Sequence, residues 1–283
     1  MEKLLLLLAF CSLISCKPQL TNKRTQFFPK AELKVKDLPE KENTWVFILA
    51  GQSNMAGRGQ VEPADTIPHE RIFTINQKGE VIMAKEPLHF YEPNNTGLGS
   101  GLSFAKTLIK QVPESVSILL IPTAVGGSSI SQWLGDSTHR QVKLLTNFKE
   151  KAAIGKSLGQ VKAILWHQGE SDAHPEDIPL YKTRLINLLS QFREILGDKN
   201  LPIVLGELGT FSKDTAEWEQ INEQIQQYSS SDPYSSVVRT SDLNHKGDNI
   251  HFDSKGQRLM GQRYAQAYIQ LQKKLTNKPG LSH

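Results

Sequence analysis

Apolar residues along this chain fall into two alternating patterns. Short runs of four to six β-branched, aromatic or aliphatic residues stand at 44–49 (TWVFIL), 118–123 (ILLIPT), 163–167 (AILWH), 203–207 (IVLGE) and 237–240 (VVRT). Runs that are apolar on both faces are the pattern of strands buried in a parallel sheet. Between them, residues 102–111, 140–153, 178–196, 216–228 and 254–275 space their apolar residues at helical intervals, with Ser254 as the candidate cap of the last helix. The alternation predicts an α/β fold: a three-layer α/β/α sandwich around a five-stranded parallel sheet.

The first of these strands runs into Ala50, Gly51, Gln52, Ser53, Asn54, Met55, Ala56 and Gly57. Ligands in open α/β sheets bind at the carboxyl ends of strands, so Ser53 stands where a nucleophile would. Read alone, the same serine is equally well the N-cap of the following helix. The other strand ends decide more. The second leads into Gly126, Gly127, Ser128 and Ser129, the third into Gln168, Gly169, Glu170, Ser171 and Asp172, and the last into Asp248, Asn249, Ile250 and His251. In a parallel sheet these ends share one rim.

Acyl transfer needs a nucleophile, a base, a carboxylate to orient that base, and donors for the developing oxyanion. Ser53, His251 and Asp248 fill the first three roles. The backbone N–H groups of Ser53 and Gly127 with the Gln168 amide form the expected oxyanion hole. Met55 replaces the last glycine of a Gly-x-Ser-x-Gly elbow, which argues against an ordinary α/β-hydrolase.

The blocks GQSNMAG, GGSSISQW, WHQGESD and DNIHFDSKG resemble those of the SGNH hydrolase superfamily, within its branch of sialate O-acetylesterases and sixth-family acetylxylan esterases. The resemblance spans about residues 44–270 and implies a flavodoxin-like sandwich. It also implies a serine esterase that removes O-acetyl groups from carbohydrates through an acetyl-serine, with no cofactor and no metal. Carried over by motif, Ser53 is the nucleophile, Gly127 an oxyanion donor, Gln168 the counterpart of the superfamily's third-block asparagine, and Asp248 and His251 the acid and base.

Further candidates have competing readings. Glu170 is a second acid at the cleft or a cap. Asn54 bonds the turn or the substrate, and His167, after an apolar strand, is a buried, hydrogen-bonded residue rather than a second base. Trp133 stacks on a sugar or fills the core, and Arg58 meets a sugar carboxylate or lies on the surface. Two other functions remain open: a glycan-binding lipoprotein with a dead site, and a metal-dependent hydrolase using His167, Glu170, Asp172, His174, His251 and Asp253, although their spacing matches no compact zinc motif.

The chain begins MEKLLLLLAFCSLISC, an apolar stretch too short to span a bilayer and ending in a lipobox-like Leu-Ile-Ser-Cys. Residues 1–15 are expected to be a lipoprotein signal peptide, with Cys16 lipidated and the protein held at a bacterial cell envelope. Residues 16–43 read as a solvated tether, 44–275 as the esterase domain and 276–283 as a tail. Both cysteines lie within residues 1–16, so the folded body has neither a disulfide framework nor a cysteine nucleophile. A net charge of +4 without a basic run gives no support to nucleic-acid binding.

Overall fold

The computed structural model describes residues 23–277; the expected signal peptide, Cys16 and most of the C-terminal tail lie outside them. In chain order the elements are β1 (Thr44–Gly51), α1 (Ser53–Ala56), β2 (Ile72–Ile75), β3 (Val81–Met83), α2 (Gly101–Leu108), β4 (Ser117–Pro122), α3 (Ile130–Leu134), β5 (Thr138–His139), β6 (Val142–Lys143), α4 (Leu144–Leu158), β7 (Gln160–His167), α5 (Ile178–Leu196), β8 (Ile203–Gly206), α6 (Thr215–Ser231), β9 (Ser235–Val238) and α7 (Ser254–Thr276).

Strand β1 lies at the middle of the main sheet, paired in parallel with β4 on one side and β7 on the other. Successive side chains of a strand point to opposite faces, and β1 is apolar on both. Val46, Ile48 and Ala50 enter one core, beneath α4, α5 and α6, with Phe148, Leu185 and Ile221. Phe47 and Leu49 enter the other, beneath α2 and α7, with Phe104, Met260 and Tyr264. The Phe47 ring meets Phe104 and Tyr268 edge-on, at centroid distances of 4.8 and 5.1 Å. Two cores fed by one unbroken apolar strand make the three layers that the pattern predicts.

The sheet has seven strands, in the order β3-β2-β4-β1-β7-β8-β9, where five were expected. The two extra strands are short: β2 is parallel to β4, and β3 is antiparallel to β2 at the edge. Three or four residues are too few to show a period, which is why the pattern passes over them. The segment 140–153 is also not all helix. Residues 138–143 form a β5–β6 hairpin whose tip, Arg140 and Gln141, has φ of +47° and +66°, and α4 starts at Leu144. The last helix is capped by Asp253 and not by Ser254, for the Asp253 carboxylate accepts the Gly256 N–H at 2.6 Å.

The expected tether is corrected over its described part, residues 23–43. Met83 N–H donates to Leu33 O at 2.9 Å and Val35 N–H to Val81 O at 3.2 Å, so this stretch lies along the exposed edge of β3. Val35 and Leu38 pack against the core. Arg24 reaches Thr96 O and Pro93 O, at 2.5 and 3.0 Å. A strand edge left open has unpaired backbone groups, and covering it removes them from solvent.

Candidate active site

Ser53 stands where β1 ends. Gly51 has φ +129°, and a Cβ there would lie 2.0 Å from the His167 carbonyl oxygen, so only glycine lets β1 and β7 approach this closely. The chain then turns into the single-turn helix α1. Ser53 is its first residue and 5 % exposed. As a first-turn residue its N–H has no intrahelical acceptor. The turn after β4 is drawn to the same place, because Val125 N–H donates to Gly51 O at 3.1 Å. Gly127 follows with φ +75°. Among the described residues neither the Ser53 nor the Gly127 N–H has an acceptor.

His251 arrives from the loop between β9 and α7. Its Nε2 lies 3.0 Å from Ser53 Oγ, across 198 residues of sequence. Its Nδ1 lies 2.7 Å from Asp248 Oδ2, while Asp248 Oδ1 accepts the N–H groups of His251 and Ile250 at 2.9 and 3.0 Å. Asn249 adopts φ +58° to bring the two side chains onto one side of the loop. Partial burial works to raise the Asp248 carboxyl, but the donors from His251 and Ile250 outweigh it and hold the group well below the usual carboxylate range. Burial lowers the His251 imidazole below its ordinary value against the pull of Asp248, with Lys246 and Arg58 adding to the fall. The result at neutral pH is an uncharged imidazole between a hydroxyl and a carboxylate, ready to accept a proton.

Asn54 bonds neither its own turn nor the open cleft. Its Nδ2 donates to Glu170 Oε1 at 2.6 Å and to Ile250 O at 3.1 Å, and its Oδ1 accepts the Phe252 N–H at 3.1 Å. Glu170 therefore lies behind the site, in contact with Asn54 and 3.8 Å from His167 Nδ1. His167 is fully buried, with its Nε2–H on Glu207 O at 3.0 Å.

Two expected roles, those of Gln168 and Arg58, need correction, and Trp133 takes the core reading and not the sugar-stacking one. The Gln168 side chain is fully buried, and its amide donors go to Asp172, to Ser128 O at 3.1 Å and to Gln52 Oε1 at 3.3 Å, leaving none for an oxyanion. Trp133 has no exposed face: it packs edge-on against Trp166 and Phe192 and donates its Nε1–H to Ser128 Oγ at 2.8 Å. Arg58 is neither a surface residue nor free for a substrate, since it is clamped on Glu92 at 2.8 and 2.9 Å with both side chains nearly buried.

Glu92 and Arg140 carry weight that the sequence does not reveal. Glu92 accepts the Gly126 N–H at 2.5 Å, Arg58 from inside and Arg140 at 2.5 Å from the cleft, and thereby fixes the turn that presents Gly127. A lone acid in a loop gives no periodic signal, and Arg140 falls where the pattern suggests helix. The residues of the metal-dependent alternative are dispersed, with Asp172 on Ile130 N and Asp253 on its helix cap. Among the described residues no group of three or more His, Cys, Asp or Glu is placed to hold a metal ion.

Known proteins share this arrangement of elements. A probable carbohydrate esterase of Arabidopsis thaliana is 29% identical over 244 residues, which cover 79% of this chain and 90% of that protein. The crystal structure of the Arabidopsis protein superposes with a TM-score of 0.71 at 27% identity, over 80% of this chain and 98% of the other. The structure of NanS, at 16% identity and a TM-score of 0.68, covers 84% of this chain and all (100%) of its own, and shares the fold. A carbohydrate acetylesterase from Xanthomonas citri, at 22% identity and a TM-score of 0.62, shares it over 81% of this chain and 56% of its own. The family described as "Carbohydrate esterase, sialic acid-specific acetylesterase" matches residues 43–270, from the start of β1 into α7, and the chain belongs to that family.

Proposed function

We propose that the protein is a serine esterase that removes O-acetyl groups from sugars, sialic acid foremost among them, through an acetyl-serine intermediate. The observation that carries this reading is the row Ser53 Oγ, His251 Nε2, His251 Nδ1 and Asp248 Oδ2, joined at 3.0 and 2.7 Å. His251 takes the Ser53 proton as Oγ attacks the acetyl carbonyl. The oxyanion is met by the N–H groups of Ser53 and Gly127, which have no other acceptor among the described residues. The proton on His251 passes to the departing sugar oxygen, leaving acetate esterified to Ser53. Water, deprotonated by His251, then attacks the acetyl carbonyl, the bond to Ser53 Oγ breaks, and His251 returns the proton to Oγ as acetate leaves. Asp248 holds one tautomer and stabilises the imidazolium in both steps.

Acetate release from O-acetylated sialic acid, xylan oligomers and acetylated hexoses tests the reading. Wild type is expected to release acetate from at least the first, and Ser53→Ala to lose the activity by several orders of magnitude, about 10³-fold or more. Equal rates for the two proteins on every substrate would refute it.

The Leu-Ile-Ser-Cys sequence at 13–16 supports a lipid anchor at Cys16 and residence at a bacterial cell envelope. Incorporation of labelled palmitate into wild type but not into Cys16→Ser is the expected result in a bacterial host. Equal labelling of the two proteins would remove the anchor from the proposal.

A further inference from the structure

A cleft of about 760 Å³, within the range of volumes that hold small ligands, is joined to the reaction centre through Arg140, which lines it and also lies beside Gly127. One wall is the segment 28–32, the same stretch whose neighbours cover the sheet edge. Another is formed by residues around Phe90 and Tyr91, and a third by the tip of the β5–β6 hairpin, at Arg140 and Gln141. Arg140 belongs to both places. Its Nη2 comes within 3.5 Å of the point a Cβ on Gly127 would occupy, and its Nη1 is anchored on the buried Glu92 that also holds Gly126. Nη2 and Nε have no acceptor among the described residues, and the side chain is 45% exposed.

The chemistry of the cleft walls is that of a site for an acidic sugar. Lys30, Lys85 and Arg140 line the cleft, with Glu32 as the only lining carboxylate among the described residues. Half-buried Phe28, Phe90 and Tyr91 give it apolar wall surface of the kind that the C–H faces of pyranose rings cover. His89, which also lines the cleft, is 4 % exposed, and its Nε2 has no hydrogen-bond partner. Two consecutive non-glycine residues with positive φ are a costly way to make a two-residue hairpin loop, which ordinarily uses Asn-Gly. Here the turn holds the guanidinium at the junction, with Nη2 beside Gly127 and the residue itself in the cleft wall.

We propose that this cleft is a second sugar subsite: it holds a carboxylate-bearing unit next to the acetylated one, with Arg140 gripping the carboxylate. The preferred substrate is then an acidic oligosaccharide. This rests on the esterase reading of Ser53, and it adds the unit beside the scissile ester. A guanidinium donates two parallel N–H bonds to a carboxylate, and with Nη1 already fixed on Glu92 little side-chain freedom is lost on binding.

Acetate release is to be compared for an O-acetylated sialic acid oligomer, the same oligomer with its carboxyls reduced, and the O-acetylated monomer. Wild type is expected to show kcat/KM about tenfold or more higher for the acidic oligomer than for the other two, mainly through KM. Arg140→Gly accepts the positive φ of the turn without steric cost; because it also takes one partner from Glu92, the readout is the ratio of kcat/KM values between substrates within the variant, and that preference should collapse whatever the loss of overall rate, with a thermal melt to check the fold. Phe90→Ala should weaken both oligomers alike. Equal kcat/KM for the three substrates with wild type, or an undiminished preference in Arg140→Gly, would overturn the subsite.

Calorimetry separates the two readings. The unacetylated oligomer should bind Ser53→Ala about tenfold more tightly than it binds Ser53→Ala combined with Arg140→Gly. Failure of that difference sinks the subsite even where acetate release is normal. The same difference with no acetate release from any substrate sinks the esterase reading and leaves the sugar site standing.

Discussion

Asn54 brackets His251 without touching it: one amide donates to Ile250 O and accepts from the Phe252 N–H, both at 3.1 Å, so the residues on either side of the imidazole hang on a single side chain. Glu170 Oε1, 2.6 Å from Asn54 Nδ2, holds that amide in turn. The nucleophile and its neighbour in sequence thus divide the work, Ser53 facing the imidazole and Asn54 carrying its loop.

Asn54→Ala removes the bracket and leaves the Phe252 N–H without its acceptor. Misplacing a base by a fraction of an ångström to one ångström is enough to lower kcat by about 10- to 100-fold. Because Asn54 does not face the cleft, KM should change little. Steady-state kinetics with a soluble acetyl ester, beside a thermal melt to check the fold, tests this split.

The direction of the His251 shift sets the pH profile. Its ordinary value is 6.5 and burial, the largest influence, lowers it, so kcat/KM should hold near neutrality and fall only as pH drops through a midpoint below 6.5. Asp248 is the partner that raises the imidazole. Asp248→Asn should therefore cut kcat by about 10³- to 10⁴-fold and move the acid limb of the residual activity to still lower pH. A limb that moves upward in this variant would contradict the assignment.

Gly127 needs φ +75°, and its N–H has no acceptor among the described residues. Gly127→Ala puts a Cβ only into ordinary contact distance of Arg140 and His139, at 3.5 and 3.7 Å, so the cost is in the backbone, about 1–2 kcal/mol. Relaxation of that strain turns the N–H away from the oxyanion. A fall in kcat of about 10²-fold in a protein that still folds is the expected result, measured by initial rates and by circular dichroism.

Glu92 is nearly buried between two arginines, one of which, Arg58, is equally buried. Burial works to raise its carboxyl, yet Arg58, Gly126 N–H and Arg140 together bring it below the ordinary 4.5. Such a group adds stability above pH 4.5 and loses it as pH falls through its folded value. Glu92→Gln strands the Arg58 guanidinium and should cost about 3–5 kcal/mol at neutral pH, less near pH 3. Denaturant melts of the two proteins at both pH values check the sign.

Much of the fold was legible in the sequence for one physical reason. Strands buried on both faces and helices buried on one leave periodic apolar marks, and the match of 178–196 with α5 shows how far this goes. Strands β2 and β3 left none, because three or four residues are shorter than the period needed to see them. The cover that residues 33–35 give the sheet edge leaves no mark for a related cause: Leu33 and Lys34 stay exposed, and the stretch is joined to β3 chiefly through backbone N–H and C=O groups, which every sequence has.

The sequence by itself determined which residue types were at hand, a serine and a histidine–aspartate pair at strand ends, and that a parallel sheet would turn those ends to one rim. It could not determine which side chains on that rim keep a free hydrogen-bonding edge. Gln168 and Trp133 stand in the expected blocks, yet neighbours in space consume the donors of one and bury the other; Glu92 and Arg140 belong to no block and control the Gly126–Gly127 turn. Hydrogen-bond capacity is local and finite, and its allocation follows from contacts between residues far apart in the chain. Only the tertiary structure decided it.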